Sequence, residues 1–220
     1  MLDTTTFTFL KKLIANNNKA WMDEHRNDYE KARNNFIEFV HQMIIELSAF
    51  DNSLSTLNAK DCIFRINRDI RFSKDKRPYK NNFAAYFNKG GKKGTGAGYY
   101  LHAEPGKSFM ACGIWMPEPK ILADIRQEID YNYREFESIL KAKKFKTHFE
   151  SGLDESDILS RPPKGYEADN PAVAYLKLKS FIVRKDLSEK DFTKPNSEKD
   201  FAKVFQTAMP MINFINRSQD

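Results

Sequence analysis

The order in which hydrophobic patterns change along the chain constrains its fold more than any other feature of the sequence. The first fifty residues and the last twenty space their apolar side chains as amphipathic helices do. Residues 62–67, 83–87 and 99–115 carry strand signals instead, and residues 179–185 supply one more predicted strand. Helices, then consecutive strands, then helices are typical of an α+β protein. We therefore expect a central, mainly antiparallel sheet packed with N-terminal and C-terminal helices.

The predicted helices have recognisable ends. Three asparagines at residues 16–18 should end the first helix, and Pro119 stands where another begins. Asn196 or Ser197 should cap the last helix, in which Pro210 is expected to cause a kink. Apolar stripes mark the two long helices: Tyr29, Ala32, Phe36, Val40, Met43 and Leu47 in one, and Phe201, Val204, Phe205, Ala208, Met211, Ile212 and Ile215 in the other.

Residues 99–104 and 107–115 form a predicted β-hairpin in which Pro-Gly at 105–106 supplies the turn, so that His102 faces Phe109. One face of this hairpin is predicted to be core: Tyr99, Leu101, Ala103, Met110, Cys112 and Ile114. The other face is both aromatic and polar: Tyr100, His102, Glu104, Phe109 and Trp115. A face of this kind is suited to holding a ligand, although a covering helix would explain it equally well.

The length of 220 residues suits one large or two small domains and is long enough to bury a full core, and we expect a single domain that spans residues 1–220. No apolar run approaches the ~20 residues of a membrane span. The N-terminus lacks the basic and apolar stretches of a signal peptide. Cys62 and Cys112 have no metal-binding spacing, so we expect both to be reduced and buried. These features predict a cytoplasmic protein with no membrane partner, no metal and no cofactor.

The basic character of the chain is concentrated between Arg65 and Lys80. Seven of these sixteen residues are Lys or Arg and two are Asp, which gives +5 of the chain's net charge of +6. Six of the seven recur at every third position: Arg65, Arg68, Arg71, Lys74, Arg77 and Lys80. Charge this local favours an anion-binding surface.

The spacing of three suggests how these side chains align. A polyproline-like extended chain has three residues per turn and would place all six on one side. Pro78 biases Arg77 toward that conformation, and the arginine fork suits phosphate or carboxylate groups. The alternative is a solvated loop whose arginines pair with acidic residues elsewhere, such as Glu128 or Asp130.

Other clusters give weaker indications. Glycines and lysines alternate over residues 89–98, but a strand follows them and the GxxxxGK[ST] pattern is absent, so a flexible connection is predicted. The acidic residues at 154–157 are expected to be solvated. None of the four histidines has metal-ligand spacing. His102 stands out because Glu104 lies on the same strand face, where a carboxylate can orient a general base.

The aromatic residues fall into two predicted groups. Tyr86, Tyr100 and Phe109 lie among the strands and are candidates for stacking on a ligand ring. Trp21, Trp115 and the other phenylalanines are expected in the core instead.

The leading hypothesis is a protein that binds an anionic, phosphate-bearing ligand, which is either a small molecule or nucleic acid. Its predicted binding residues are Arg65, Arg68, Arg71, Lys74, Arg77, Lys80 and Tyr100. A second hypothesis is an enzyme acting on a nucleotide or nucleic acid, with His102 and Glu104 as acid and base. A third is an interaction scaffold whose basic segment docks an acidic partner.

Several stretches resemble those of a widespread family of uncharacterised bacterial and fungal proteins. They are RINRDIRFSKDKRPYK at residues 65–80, GYYLH at 98–102, GIWMP at 113–117 and PKGY at 163–166. Trp21 followed by Tyr29 is similar too, while Met22 stands where an aromatic residue is expected. The resemblance covers essentially the whole chain. The family is known only as a domain of unknown function, so the resemblance implies no activity, cofactor or catalytic residue.

Overall fold

The computed structural model describes residues 1–219, and these form the predicted α+β fold, with helices before and after the strands. The α-helices are α1 (Thr4–Ala15), α2 (Lys19–Glu24), α3 (Arg26–Ser48), α4 (Ala59–Cys62), α5 (Pro119–Tyr131), α6 (Tyr133–Lys141), α7 (Lys143–His148), α8 (Val173–Leu176), α9 (Glu189–Thr193) and α10 (Ser197–Arg217). The strands are β1 (Phe83–Phe87), β2 (Gly98–Ala103), β3 (Phe109–Ile114) and β4 (Phe181–Asp186).

The strands form an antiparallel sheet in the order β1-β2-β3-β4, so that neighbours in the chain are also neighbours in the sheet. The predicted turn between β2 and β3 is confirmed, because the Lys107 amide donates to the Glu104 carbonyl at 3.1 Å. Pro105 precedes Gly106, whose φ is 73°, and that pair is typical of a type II turn. The six side chains predicted to be core are all buried: Tyr99, Leu101, Ala103, Met110, Cys112 and Ile114. Burial alternates along β2 from Tyr99 as predicted, whereas β3 is buried on both faces from Met110 to Ile114.

By internal packing the chain divides into two compact units, each made of three segments. The first comprises Met1–Lys93, Tyr100–Met110 and Asp186–Lys203. In this unit α3 buries most of the apolar stripe predicted for it. Phe36 of α3 stacks on Phe83 of β1, with ring centroids 5.4 Å apart. The stripe thus fixes the first strand against the long N-terminal helix.

The second unit comprises Gly94–Tyr99, Ala111–Lys185 and the residues from Val204 onward. Its core contains Phe136 of α6 and Phe214 of α10, whose ring centroids lie 4.9 Å apart. Both side chains are fully buried, so α6 and α10 pack through them. The helix start predicted at residue 119 is confirmed, since α5 begins there with its proline in the first turn. Pro210 lies inside α10, and the kink expected there stays a prediction.

The region from residue 62 to residue 67 is not the strand that its alternating pattern predicts. Cys62 closes α4, and the chain then forms one arm of an irregular hairpin. Its arms meet at two isolated antiparallel bridges, Ile63 with Ala85 and Asn67 with Tyr79. Residues 65–80, which contain the second bridge and the turn beyond it, are called the basic hairpin below.

The glycine-rich connection predicted to be flexible is anchored to α4. Residues 91–93 form a 3-10 turn, from which the Lys92 ammonium donates to the carbonyls of Lys60 and Asp61, each at 3.1 Å. Gly91 has a φ of 59°, and a Cβ there would lie 2.8 Å from the Asp61 carbonyl oxygen. Glycine is therefore required where this connection touches the helix.

Burial of the remaining residues agrees with the expectations only in part. Cys62 and Cys112 are free and buried as predicted, and burial raises the pKa of the Cys62 thiol to about 11. Two aromatic residues expected in the core are exposed instead: Trp115 at 75% and Phe72 at 95%. Within residues 1–219, no helix combines the length and apolar character required to cross a membrane.

Candidate functional site

Three arginines of the basic hairpin are held by the hairpin's own aspartates. Arg71 donates two hydrogen bonds to Asp69, of 3.0 and 2.6 Å, and Arg77 donates to Asp75 at 2.7 Å. Arg68 forms a 2.8 Å ion pair with Asp75 and donates to the Arg77 carbonyl at 2.9 Å. The predicted polyproline-like alignment of six basic side chains is therefore wrong, because these contacts and the antiparallel bridge fold the segment back on itself.

The ion pairs also change the ionisation of the hairpin. Hydrogen bonds from Arg71 lower the pKa of Asp69, and hydrogen bonds from Arg77 hold the pKa of Asp75 well below its ordinary value. The same contacts raise the pKa of both arginines. Both aspartates are therefore ionised at neutral pH, and they neutralise part of the positive charge of the hairpin.

The acidic partners that the sequence suggested for these arginines are engaged elsewhere. Glu128 accepts a 2.7 Å hydrogen bond from Arg217, and Asp130 accepts a 2.6 Å bond from Asn170. The alternative in which the arginines pair with Glu128 or Asp130 is therefore wrong. Asp69 and Asp75 were missed as partners because their charges were considered only in the net charge of the segment.

Four cations of the basic hairpin have no carboxylate within ion-pair distance among residues 1–219: Arg65, Lys74, Lys76 and Lys80. Lys74 is exposed, whereas Lys80 is half-buried. The Lys80 ammonium lies over the Phe64 ring, 5.4 Å from its centroid. Burial lowers the pKa of Lys80, and the nearby charge of Arg65 lowers it further. Two cations thus lie close together at the base of the hairpin, and neither forms an ion pair with a carboxylate of residues 1–219.

A cluster of rings continues from Phe64 onto the mixed face of β2 and β3. Phe64 meets Tyr100 edge to face, with centroids 6.1 Å apart, and Tyr100 lies 5.6 Å from Phe109. Phe109 in turn stacks on His102, with centroids 4.6 Å apart and planes inclined by 18°. The predicted facing of His102 and Phe109 is confirmed, and two of the three candidate stacking rings lie in this cluster.

Three side chains of β2 and its turn form a hydrogen-bonded chain. The Glu104 carboxylate lies 2.8 Å from Nε2 of His102, and Nδ1 of the same ring lies 3.0 Å from the Tyr100 hydroxyl. Residues two apart on a strand share a face, so the extended backbone places all three in line. The Glu104–His102–Tyr100 chain is partly buried, with exposed side-chain fractions of 12% for His102 and 18% for Glu104.

The hydrogen bonds of this chain assign the tautomer of neutral His102. An ionised Glu104 only accepts, so Nε2 carries the proton and Nδ1 accepts from the Tyr100 hydroxyl. Burial, followed by the charge of Glu104, raises the pKa of Tyr100 to about 12. The phenol is therefore protonated at neutral pH. Because both nitrogens of His102 already have hydrogen-bond partners, the Tyr100 hydroxyl is the group of these three side chains that could contact a ligand.

Among residues 1–219, the predicted site residues belong neither to a metal-binding group nor to the groove between α6, α7 and α10. Across residues 1–219, no group of three or more His, Cys, Asp or Glu side chains is arranged to hold a metal ion. A groove of about 530 Å³ lies in the second unit, between α6, α7 and α10. Its walls include Ile139, Phe145 and Pro210, and none of the predicted site residues lines it.

The family of the chain is identified by comparison with known proteins. A family model described as "Conserved hypothetical protein (DUF2461)" matches residues 5–214, which is nearly the whole chain. The chain belongs to the DUF2461 family. No curated protein and no solved structure gives a significant match. Membership of DUF2461 confirms the resemblance found in the sequence and assigns no activity, so the roles of the site residues follow from geometry alone.

In this DUF2461 protein the structure brings together only part of the predicted site. Lys80 and Tyr100 both contact Phe64, and Arg65 is close enough to lower the pKa of Lys80. Phe64 was missed because it was expected in the core together with other phenylalanines. Phe72 was missed as well, although an apolar residue inside so charged a segment was a usable signal.

Proposed function

We propose that the protein binds a phosphate-bearing ligand at the base of the basic hairpin, between Arg65, Lys80 and the rings of Phe64 and Tyr100. The observation that carries this proposal is the environment of Lys80, which is half-buried beside a second cation and has no carboxylate partner in the described chain. Burial and a like charge both disfavour an ammonium group. A bound anion would relieve both effects, and groups held at such a cost cluster at functional sites.

The residues at this place have complementary roles toward a phosphate group. The Arg65 guanidinium supplies a planar fork that can donate two hydrogen bonds, and the Lys80 ammonium supplies a point charge. Tyr100 contributes a protonated phenol, since its pKa is about 12. The ring of Phe64 lies between Lys80 and Tyr100, so it offers an apolar surface for the part of the ligand attached to the phosphate.

The three arginines with aspartate partners have a different role in this proposal. Arg68, Arg71 and Arg77 fix the conformation of the basic hairpin instead of contacting the ligand. Lys74 remains exposed at the turn and adds to the local positive field. We place the protein in the cytoplasm, which is supported by two free, buried cysteines.

The test is isothermal titration calorimetry with pyrophosphate at pH 7 and low salt. Each of Lys80→Met and Arg65→Gln is expected to weaken binding by about tenfold or more, the usual loss of one charge-assisted hydrogen bond. Lys31→Met is the matched control, because Lys31 is an exposed lysine on α3 of the same unit. Pyrophosphate binding that is absent, or that survives Lys80→Met unchanged, would show that the hairpin base is not an anion site.

The Glu104–His102–Tyr100 chain favours a second candidate, an enzyme that acts on a phosphate ester. When His102 is protonated, its Nδ1–H donates to the phenol oxygen of Tyr100, which leaves the phenolic O–H free to donate to a leaving group. Water attacks the phosphorus as the P–O bond to the leaving group breaks, and the imidazolium returns a proton to the resulting phenolate of Tyr100. The Glu104 carboxylate stabilises the imidazolium, and solvent takes up the proton that the attacking water loses. In this candidate mechanism Tyr100 is the acid, and His102 and Glu104, which were expected to be the acid and base, supply and stabilise its proton.

This candidate is tested by hydrolysis of bis(p-nitrophenyl) phosphate. Tyr100→Phe removes the proton donor and keeps the ring contacts, so it should abolish turnover, whereas pyrophosphate binding should lose only one hydrogen bond and weaken less than in Lys80→Met. Glu104→Gln should reduce turnover and leave the fold intact. Turnover that persists in Tyr100→Phe at the wild-type rate would exclude Glu104, His102 and Tyr100 as the catalytic groups. The proposal that the hairpin base binds an anion would stand unaffected.

A further inference from the structure

The turn of the basic hairpin presents an aromatic ring to solvent. Phe72 is 95% exposed, the highest value for a large hydrophobic side chain in the described part of the chain. An exposed phenylalanine at a turn adds nothing to a core, and exposed aromatic residues mark binding surfaces more often than exposed aliphatic ones do. The Arg71 guanidinium lies 5.8 Å from the centroid of this ring.

The turn that carries Phe72 is held in a defined conformation. The Ser73 amide donates to the Ile70 carbonyl at 3.3 Å, and the Lys76 ammonium donates to the same carbonyl at 3.1 Å. Asp75 ties the two arms together through Arg68 and Arg77. Because these bonds fix the backbone on both sides of Phe72, less conformational entropy is lost when a partner stacks on its ring.

An aromatic ring lies beside a cationic side chain at both ends of the basic hairpin. At the turn a ring, Phe72, lies beside a guanidinium, and at the base a second ring, Phe64, lies beneath the Lys80 ammonium. Exposed Lys74 and Lys76 add charge near the turn. A ligand that matches this surface must repeat a negative charge and a flat ring along its length. Single-stranded nucleic acid has this repeat, because phosphates and unstacked bases alternate along it.

We infer that the phosphate-bearing ligand is single-stranded nucleic acid, which places one phosphate at Arg65 and Lys80 and stacks a base on Phe72. This inference rests on the proposed anion site and adds the class of ligand. A duplex fits less well because its bases are stacked inside. A membrane surface also fits less well, because one phenylalanine gives weak anchoring and a stable peripheral contact takes a larger apolar face.

Fluorescence anisotropy with three labelled 12-mers tests the inference: oligo-dT, an abasic oligomer with the same number of phosphates, and a DNA duplex. We expect oligo-dT to bind more tightly than the abasic oligomer, with a salt slope that reports several phosphates. Phe72→Ala should weaken oligo-dT binding by about tenfold, since one base stack is lost, and leave the abasic oligomer unchanged. Phe72→Trp should restore the binding of oligo-dT.

Ile45→Ala is the matched control, because Ile45 is 51% exposed on α3 and its removal should change neither affinity. Equal affinities for oligo-dT and the abasic oligomer, or full oligo-dT binding in Phe72→Ala, would overturn the inference. Pyrophosphate binding without any oligo-dT binding would also overturn it, while the proposed anion site would stand. Binding to anionic lipid vesicles in place of oligo-dT would assign Phe72 to a membrane surface instead.

Discussion

Lys80 is a residue whose charge is disfavoured by its surroundings in the folded protein. Its ammonium is half-buried beside Arg65, and its pKa is lowered from the ordinary 10.5 by burial first and by that charge second. The folded protein therefore binds fewer protons at Lys80 than the unfolded chain does at alkaline pH. The unfavourable contribution of Lys80 is fully present below the lowered pKa, and it disappears as the pH rises to the ordinary value.

Replacing this lysine should therefore stabilise the protein. Lys80→Met keeps most of the stem over Phe64 and removes the charge, so we expect Tm at pH 7 to rise by about 1–3 °C. The difference from wild type should shrink as the pH approaches 10.5. Thermal denaturation monitored by circular dichroism across pH 7–10.5 measures it. A Tm that falls at pH 7 in Lys80→Met would mean that Lys80 stabilises the fold. The control Lys31→Met should change neither the Tm at pH 7 nor its dependence on pH.

Gly113 lies at a position where the structure leaves no room for a side chain. Its φ is 120°, and a Cβ there would lie 1.9 Å from the Phe181 carbonyl oxygen on β4. Gly113→Ala must therefore displace one strand, and we expect a loss of about 3 kcal/mol or more in the free energy of unfolding, measured by urea denaturation. Gly152→Ala is the matched control, since φ is 69° and nothing lies within 4 Å. Similar losses at the two glycines would show that β3 and β4 adapt.

At the scale of single residues, the sequence predicted side chains whose position follows from strand alternation. Tyr100, His102 and Phe109 lie on one face, as the alternation of β2 and β3 requires. Trp115 and Phe72 were wrongly placed in the core, because hydrophobicity alone does not tell whether a turn carries its apolar residue inward or outward. The position of Lys80 over Phe64 depends on an irregular hairpin, so no periodic pattern could reveal it.

Among the elements, the basic hairpin depends most on one carboxylate. Asp75 pairs with Arg68 from one arm and Arg77 from the other, whereas Asp69 pairs with Arg71 alone. Asp75→Asn should therefore loosen the turn without unfolding the protein. We expect hydrogen exchange of the Arg68 amide, which donates to the Pro78 carbonyl at 2.9 Å, to become about tenfold faster or more.

The pH dependence of the hairpin follows from the same residue. Folding lowers the pKa of Asp75, so its contribution is present above the ordinary carboxyl value of 3.8 and is lost as the pH falls through the lowered one. In the wild-type protein, exchange at the Arg68 amide, corrected for its intrinsic rate, should therefore be slower than in Asp75→Asn at neutral pH. The two rates should become similar only in acid, where the Asp75 carboxylate is protonated. Asp69→Asn is the control that removes an equal charge from the same hairpin. If both variants speed exchange equally, charge alone and not the bridging geometry holds the turn.

Element predictions from the sequence were reliable where a long periodic pattern met a clear end signal. The three asparagines follow the end of α1, and Pro119 begins α5, as predicted. The apolar stripe of residues 29–47 lies within α3. The basic hairpin was misread because its spacing of three matched a polyproline chain, whereas its conformation is set by contacts between residues distant along the segment. Ion pairs such as Arg68 with Asp75 depend on how the arms meet, which local spacing does not determine.

At the scale of the molecule, neither compact unit is a continuous piece of chain. Each consists of three segments that alternate along the sequence, and α10 has residues in both units. A helix that belongs to two units transmits unfolding between them, because its hydrogen bonds form cooperatively. The expectation of one domain over residues 1–220 stays a prediction, and on this argument we expect one cooperative unfolding transition.

The two tryptophans of the chain allow a direct test of that expectation. Trp21 belongs to the first unit and Trp115 to the second. In Trp21→Phe and Trp115→Phe the remaining tryptophan reports one unit each, and the two fluorescence transitions in urea should coincide in midpoint and slope. Gly113→Ala should shift both to lower urea together, although that glycine lies in the second unit. Two separated midpoints, with only the Trp115 signal sensitive to Gly113→Ala, would mean that the units unfold independently and that the chain comprises two domains.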